Sequence, residues 1–163
     1  MRVLTKNSRR PVVLIGAGEG GHYEQAKVLC DLLKQQSVYF DFHYENQSNM
    51  VPKVSALSKR NKLLFTVAAL KTIIYIPLTM LRFKKLKKEN EISALICFGP
   101  LCCIPMILVA LVFKVPVIFI ESWSRFEKLS LTGNLCKNLG CSVFSQNKIV
   151  HKDFEIDQIG RLG

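Results

Sequence analysis

Apolar residues arrive in short continuous runs closed by glycine or proline, and between the runs their spacing turns helical. "PVVLIG" (11–16) has the pattern of a strand covered on both faces. From Gly21 to about Gln35, the residues Ala26, Leu29, Cys30, Leu32 and Leu33 recur at helical spacing. "VYFDFHY" (38–44) alternates and is aromatic, so it reads as a second strand, and the polar stretch 45–58 reads as a surface loop. Strand, glycine turn, helix and strand in that order predict the opening unit of a parallel, doubly wound α/β sheet. A second such unit follows: strand "ISALICF" (92–98), a Gly-Pro turn, helix 102–113 with Pro105 in its first turn, and strand 115–122. A short helix (130–140) closed by Gly140 and a strand (141–146) continue the series. The closing "EIDQIGRLG" reads as a short strand or linker with more protein expected after it, inside one Rossmann-like unit spanning 1–163.

One segment breaks this rhythm. "LLFTVAALKTIIYIPLTML" (63–81) is apolar for about one bilayer crossing. Lys59, Arg60 and Lys62 precede it, and Arg82, Lys84, Lys85, Lys87 and Lys88 follow. The chain carries 23 Lys and Arg against 12 Asp and Glu, a formal +11, and much of that excess lies beside this one helix. The arrangement favours an anionic lipid surface over nucleic acid, because the charge flanks an apolar helix with no aromatic platform for bases. Lys71 sits mid-segment, where an ammonium at the bilayer centre costs roughly 2.5–3.5 kcal/mol. Basic clusters at both ends also conflict with a single crossing. The segment of about 60–88 is therefore expected to lie in one leaflet, with Lys62, Lys71, Arg82, Lys84 and Lys85 toward lipid phosphates; a long core helix is the alternative.

Six cysteines raise the question of disulfides or a metal. The opening "MRVLTKNSRR" is basic and the run after it breaks at Gly16, unlike a secretory signal. Most of the cysteines lie in apolar segments, and neither Cys97/Cys102 nor Cys136/Cys141 has zinc-type spacing. A reducing compartment and no bound metal are expected.

Candidate chemistry gathers in "GAGEGGHYEQ" (16–25). A glycine turn after a first strand lets backbone N–H groups and a helix amino terminus face an anion. Gly16, Gly18 and Gly21 satisfy the dinucleotide spacing, yet Asp41 lies inside an aromatic stretch and makes a poor ribose ligand. His22 at the mouth of the loop suits general-base work or a hydrogen bond to phosphate. A plain tight turn, with His22 capping the helix, remains open.

The stretch "GAGEGGHYEQ", then "CFGPLCCIPMILVALVFKVPVIFIESWSRFEKLSLTGNL" and "VFSQ", across roughly 11–150, resembles the Alg14-like oligosaccharide-biosynthesis family. The resemblance implies the amino-terminal, Rossmann-like half of a GT-B glycosyltransferase: a membrane-associated subunit that binds a polyprenyl-diphosphate-linked sugar. An Alg13-like partner subunit would bind the UDP-sugar, with no further cofactor. It implies an inverting, metal-independent hexosyltransferase, active only with that partner. The place would be the cytoplasmic face of a membrane, plasma membrane in a bacterium or endoplasmic reticulum in a eukaryote.

By the same resemblance, Gly16, Gly18, Gly20 and Gly21 face the acceptor's diphosphate, and His22 is the base or orients a phosphate. Gly99 belongs to a second loop at that face. Glu121 is a base, an orienting group or a helix cap; Ser122 closes the same strand and Arg125 pairs with Glu121 or a phosphate. Ser130, Thr132 and Gly133 build a helix start near the acceptor or the partner, and Trp123 is a sugar platform or a packing residue. Two other classes stay in view: a membrane scaffold without catalytic groups, and an NAD(P)-dependent reductase.

Overall fold

A computed structural model describes residues 11–18, 20–36, 41–44, 62–99, 101–147, 150–151, 154–155, 157–158 and 160. The elements are β1 (Pro11–Ala17), α1 (Gly21–Gln36), β2 (Asp41–Tyr44), α2 (Lys62–Glu89), β3 (Glu91–Phe98), a 3-10 turn (Leu101–Cys103), α3 (Ile104–Val112), β4 (Val117–Ile120), α4 (Leu131–Asn138), β5 (Ser142–Phe144), β6 (Val150–His151) and β7 (Phe154–Glu155). Five of the strands form one parallel sheet in the order β2-β1-β3-β4-β5. β6 and β7 pair antiparallel, apart from it.

Right-handed crossovers decide which face each helix covers. The chain steps one way from β1 to β2, then back across β1 to β3 and onward, so α1 covers one face and α2, α3 and α4 the other. The core divides accordingly. Val13, Ile15, Ala17, Ile96, Phe98 and Ile120 pack with Ala26 and Cys30 of α1. Leu14, Leu95, Cys97, Val117 and Phe119 pack with Phe83, Met106, Ile107 and Cys136 of the other helices. Strand order reverses between β1 and β3, and open α/β sheets bind ligands beyond the carboxyl ends of such a pair.

Local chemistry explains the boundaries. Pro105 stands in the first turn of α3, where its missing N–H is harmless. Gly140, at φ +77, ends α4 through a paired closure in which its N–H reaches the Lys137 carbonyl and that of Cys141 reaches Cys136. Gly16 lies within β1, where a Cβ would stand 2.9 Å from the Met106 sulfur. A Cβ there would press on the Met106 side chain, and the residue lies inside the strand, so the glycine turn begins later than the sequence motif suggests.

α2 is one 28-residue helix that absorbs the basic flank and carries Pro77 inside it. Leu70, Ile73, Ile74, Leu78 and Leu81 are exposed, and Lys84, Lys85 and Lys88 continue the same row. Positions 70, 73, 74, 77, 78, 81, 84, 85 and 88 recur at helical spacing, so this is one stripe. Thr79 and Phe83 are buried on the opposite side, and Phe83 stacks on Phe113 of the adjoining loop with ring centroids 5.3 Å apart. Lys87 lies over the same Phe113 ring and donates to its carbonyl. The helix is therefore anchored in the core along one side and bare along the other. Among the described residues, no helix is long and apolar enough to cross a membrane.

The direction of α2 matters. Glu89 ends it and Glu91 starts β3, so both meet at the amino edge of the sheet. At 1.5 Å per residue the helix is about 42 Å long, whereas β3 spans about 26 Å. The first turns of α2 extend beyond the carboxyl edge, past the 3-10 turn against which the helix packs. The side chains of Lys62 and Lys71, the loop 45–58 and the start expected for β2 at 38–40 lie outside the described residues.

Truncating Phe83 to alanine should lower unfolding free energy by about 3–5 kcal/mol in denaturant titrations. Ile74→Ala, on the bare stripe of the same helix, should stay within about 0.5 kcal/mol of the parent.

Candidate functional site

The carboxyl ends of β1, β3 and β4 converge on a small set of polar groups. β1 ends at Ala17, and the chain turns through Gly18 and Gly20 into α1. Gly20 takes φ +73, and its carbonyl accepts the N–H groups of Tyr23 and Glu24 to open the helix. Among the described residues, a Cβ on Gly20 or Gly21 would meet nothing within 4 Å, so these two glycines at the start of α1 face open space there. Next to it, β3 ends and Gly99 turns the chain at φ +89. A Cβ on Gly99 would collide with the His22 ring, whose Cγ would lie 2.5 Å away. His22 thus lies flat on the Gly99 backbone, across the point where strand order reverses. The two glycine turns named from the sequence are one place in the fold.

Glu121, directly after β4, is only 1% exposed. Its Oε1 accepts the Ser122 N–H at 3.1 Å and its Oε2 the Ser130 N–H at 2.7 Å. Ser130 is the amino cap of α4, its hydroxyl accepting the Gly133 N–H at 3.0 Å. A Cβ on Gly133 would stand 2.6 Å from Glu121 Oε2, so glycine is what lets the carboxylate in. The carboxylate is seated at the positive end of α4, held by backbone donors. Thr132 is buried in the first turn of that helix, and Ser122 shares a hydrogen bond with Ser124 at 3.1 Å.

His22 is half-buried, and its Nδ1 is buried with no hydrogen-bond partner. Burial lowers its pKa; the Glu121 charge opposes that and the Arg125 charge adds to it. Burial thus favours the neutral form of the ring, and among the described residues its buried Nδ1 has no hydrogen-bond partner. Cys136 is no rival nucleophile, because burial pushes its thiol up to about 12.

His22, Gly99, Glu121 and Arg125 come together, with Gly133, Ser122 and Ser130 around Glu121. Gly16 stays in the strand, and Lys84 and Lys85 lie toward the amino edge, far along α2 from the site. Asp41 is the first residue of β2, at the amino end of that strand, whereas a ribose acid belongs at the carboxyl end. Gln25 and Gln146 stand within the motifs that carry the resemblance, yet sequence reasoning gave them no role, and it passed over Asn147. Gln146, 1% exposed, donates from Nε2 to Gln25 Oε1 at 3.0 Å and to the Glu121 carbonyl at 3.1 Å. Asn147 donates from Nδ2 to the carbonyls of Trp123 and Arg125. Their only signal was a polar pair directly after an apolar strand.

A histidine whose pKa is lowered by folding binds its proton more readily when unfolded. Its neutral form costs nothing above the ordinary value of 6.5, and stability is lost as pH falls below that value toward the folded one. Melting temperature should therefore drop as pH is taken from 7.5 to about 5. The drop should be shallower in His22→Gln, and equal slopes in the two proteins would remove His22 as its source.

The model of the family described as "Oligosaccharide biosynthesis protein Alg14 like" matches residues 59–159, well over half of the chain. The match leaves out the first βα unit, although β1 of that unit is paired between β2 and β3 in the same sheet. No curated protein matches. Among solved structures, MurG of Acinetobacter baumannii overlaps with a TM-score of 0.57 at 18% identity, covering 86% of this chain and 44% of that one. The chain thus spans less than half the length of that enzyme. UGT71G1 of Medicago truncatula, complexed with UDP-glucose, overlaps more loosely, with a TM-score of 0.47 at 14% identity over 69% of this chain and 29% of that one. The sheet shares its fold with the solved structure at TM-score 0.57, and the family match over residues 59–159 shows that the chain belongs to the Alg14-like oligosaccharide-biosynthesis family.

Proposed function

We propose that this chain is the acceptor-binding subunit of a two-piece GT-B glycosyltransferase that works on a polyprenyl-diphosphate-linked sugar at the cytoplasmic face of a membrane. The observation that carries the reading is the His22 ring lying on Gly99 where strand order reverses, beside a buried carboxylate and an open helix amino terminus. The chain overlaps 44% of MurG; in this proposal the donor-binding half is supplied by a second chain. Trp123, Phe126 and Leu131 are exposed between β4 and α4, an apolar rim suited to that partner.

In the proposed reaction the acceptor hydroxyl attacks the anomeric carbon of the UDP-sugar, its new C–O bond forming as the bond to UDP breaks, with inversion. His22 takes the hydroxyl proton late in that displacement. Glu121 is less suited to be the base, since both of its oxygens already accept backbone N–H groups. Its fixed negative charge instead favours His22 once protonated, as a carboxylate does behind a catalytic imidazole. The Gly20–Gly21 backbone and α1 amino terminus receive the diphosphate, with Arg125 as a further cation. UDP leaves toward the partner chain.

The stripe on α2 supplies the membrane contact. Leu70, Ile73, Ile74, Leu78 and Leu81 enter the interfacial region, Val112 of α3 adds to them, and Lys84, Lys85 and Lys88 meet lipid phosphates. The helix lies along the bilayer with its amino end at the edge that holds the site, which suits an acceptor anchored by its own lipid.

In the reconstituted pair, His22→Ala should lower transfer from UDP-sugar by about 10²–10⁴-fold while the two chains still co-purify. Unchanged transfer by an intact pair would favour the scaffold reading. Ile73→Glu/Ile74→Glu/Leu81→Glu should weaken sedimentation with anionic vesicles by at least about tenfold without lowering the melting temperature; full retention on vesicles would remove the stripe as the contact.

A further inference from the structure

β5 runs out into three polar residues, Ser145, Gln146 and Asn147, of which the first two are buried. A carboxamide out of water is stable only when its donors and acceptors are matched. Gln146 spends both protons of its amide across two elements: one on Gln25 of α1, the other on the Glu121 carbonyl at the end of β4. Gln25 is itself 4% exposed and stands one turn after His22 on α1. Asn147 spends its amide on the loop after β4, through the carbonyls of Trp123 and Arg125, and its backbone N–H is fixed by the Ser145 hydroxyl. Two neighbouring side chains therefore reach every element that carries a charged or titrating group of the site.

We propose that Gln146 and Asn147 are positioning residues, Gln146 fixing the height of α1 against Glu121 and Asn147 fixing the loop that carries Arg125. The proposal rests on the reading of His22 as the base, and it supplies what that reading lacks: a reason for His22 to stay where it is. Among the helices described, α1 alone packs on the face formed by Val13, Ile15, Ile96 and Ile120. Apolar contact of that kind is non-directional and tolerates sliding. A displacement of about 1 Å is enough to cost a hundredfold in rate when a base must meet one proton. The directional pair between Gln146 and Gln25 removes that freedom. Stability alone does not account for it, because the Gln25 Nε2 donor is left buried and unpaired, where an apolar side chain would leave no such group.

Among the described residues, the groups that face His22 are Glu121 from the end of β4, Arg125 from the following loop and the uncharged Gly99 just after β3. If the amide pair is lost, α1 lifts, water reaches the ring and its titration midpoint moves up toward that of an exposed histidine.

The test uses the full chain in detergent with labelled histidine, following the imidazole carbon signals against pH. The chain has three histidines, and His22→Gln assigns the one of interest. Gln146→Met should raise the His22 midpoint and lower the melting temperature. Gln25→Met/Gln146→Met removes both side-chain amides at once; its melting temperature should recover part of the loss, while the raised midpoint persists. Asn147→Ala should raise the midpoint too, by releasing Arg125. Ile107→Val, a core change on the opposite face, should lower stability with the midpoint unmoved. In the reconstituted pair, Gln146→Met should lose about tenfold to a hundredfold in transfer rate with little change in acceptor KM.

A midpoint unmoved in Gln146→Met, or restored together with stability in the double variant, overturns the positioning role and leaves His22→Ala to decide the reaction. A midpoint that moves while transfer holds supports the clamp and overturns His22 as the base.

Discussion

A carboxylate taken out of water is stable only if hydrogen bonds and a favourable field replace its hydration. Glu121 meets that demand with the backbone N–H groups of Ser122 and Ser130 and with the amino terminus of α4, and the missing side chain of Gly133 leaves the room. Much of the site's form follows from this one seat. The turn after β4 has to curl back to bring Ser130 to the carboxylate, which fixes where α4 begins. The carbonyl of the same residue becomes the anchor for Gln146, and through it for α1. The carboxylate is thereby held in one place near His22.

The sheet then sorts duties by face and edge. Its two faces carry separate apolar cores, and the buried polar groups of the site gather at the carboxyl edge, where parallel strands end without having to satisfy a neighbour's ladder. α2 shares in both duties because it is longer than the strands it covers. One side of it closes the core through Thr79 and Phe83, and the other stays bare. A helix that only completed a core would carry polar residues on that outer side; this one carries leucine and isoleucine, then lysine. On the proposed reading, lipid lies along this face while chemistry occurs over the adjoining edge.

Sequence pattern revealed the elements better than their joints. "PVVLIG" and "ISALICF" read as buried strands because strands covered on both faces lose their alternation, and β1 and β3 are such strands. Gly140 and Pro105 marked helix ends for reasons of backbone geometry that hold in any context. By contrast, the glycine motif pointed to Gly16, which packing against Met106 explains, and gave no hint that Gly99, far along the chain, would lie under His22. That contact is made by the reversal of strand order, a long-range fact that no local spacing encodes. The same holds for Gln146 and Gln25, separated by 121 positions. The basic run after residue 81 was visible, but its place at the far end of α2 from the site follows only from the helix running antiparallel to the strands.

On the proposed reading, the division of roles between His22 and Glu121 also bears on how a chain carrying only the acceptor side would fold and yet not transfer sugar by itself. An inverting displacement needs the attacking and leaving oxygens on opposite sides of one carbon, and a single parallel sheet offers one edge. Everything gathered at this edge suits the attacking side: a neutral imidazole, a fixed carboxylate behind it, a guanidinium and open backbone donors. Stabilising a departing UDP asks for donors facing the other way, beyond the rim of Trp123, Phe126 and Leu131. Under the proposal, rigid placement of His22 would matter more here than in a one-chain enzyme. Were the second surface brought by association, only a base already fixed in its own half could be met in register by the half that arrives.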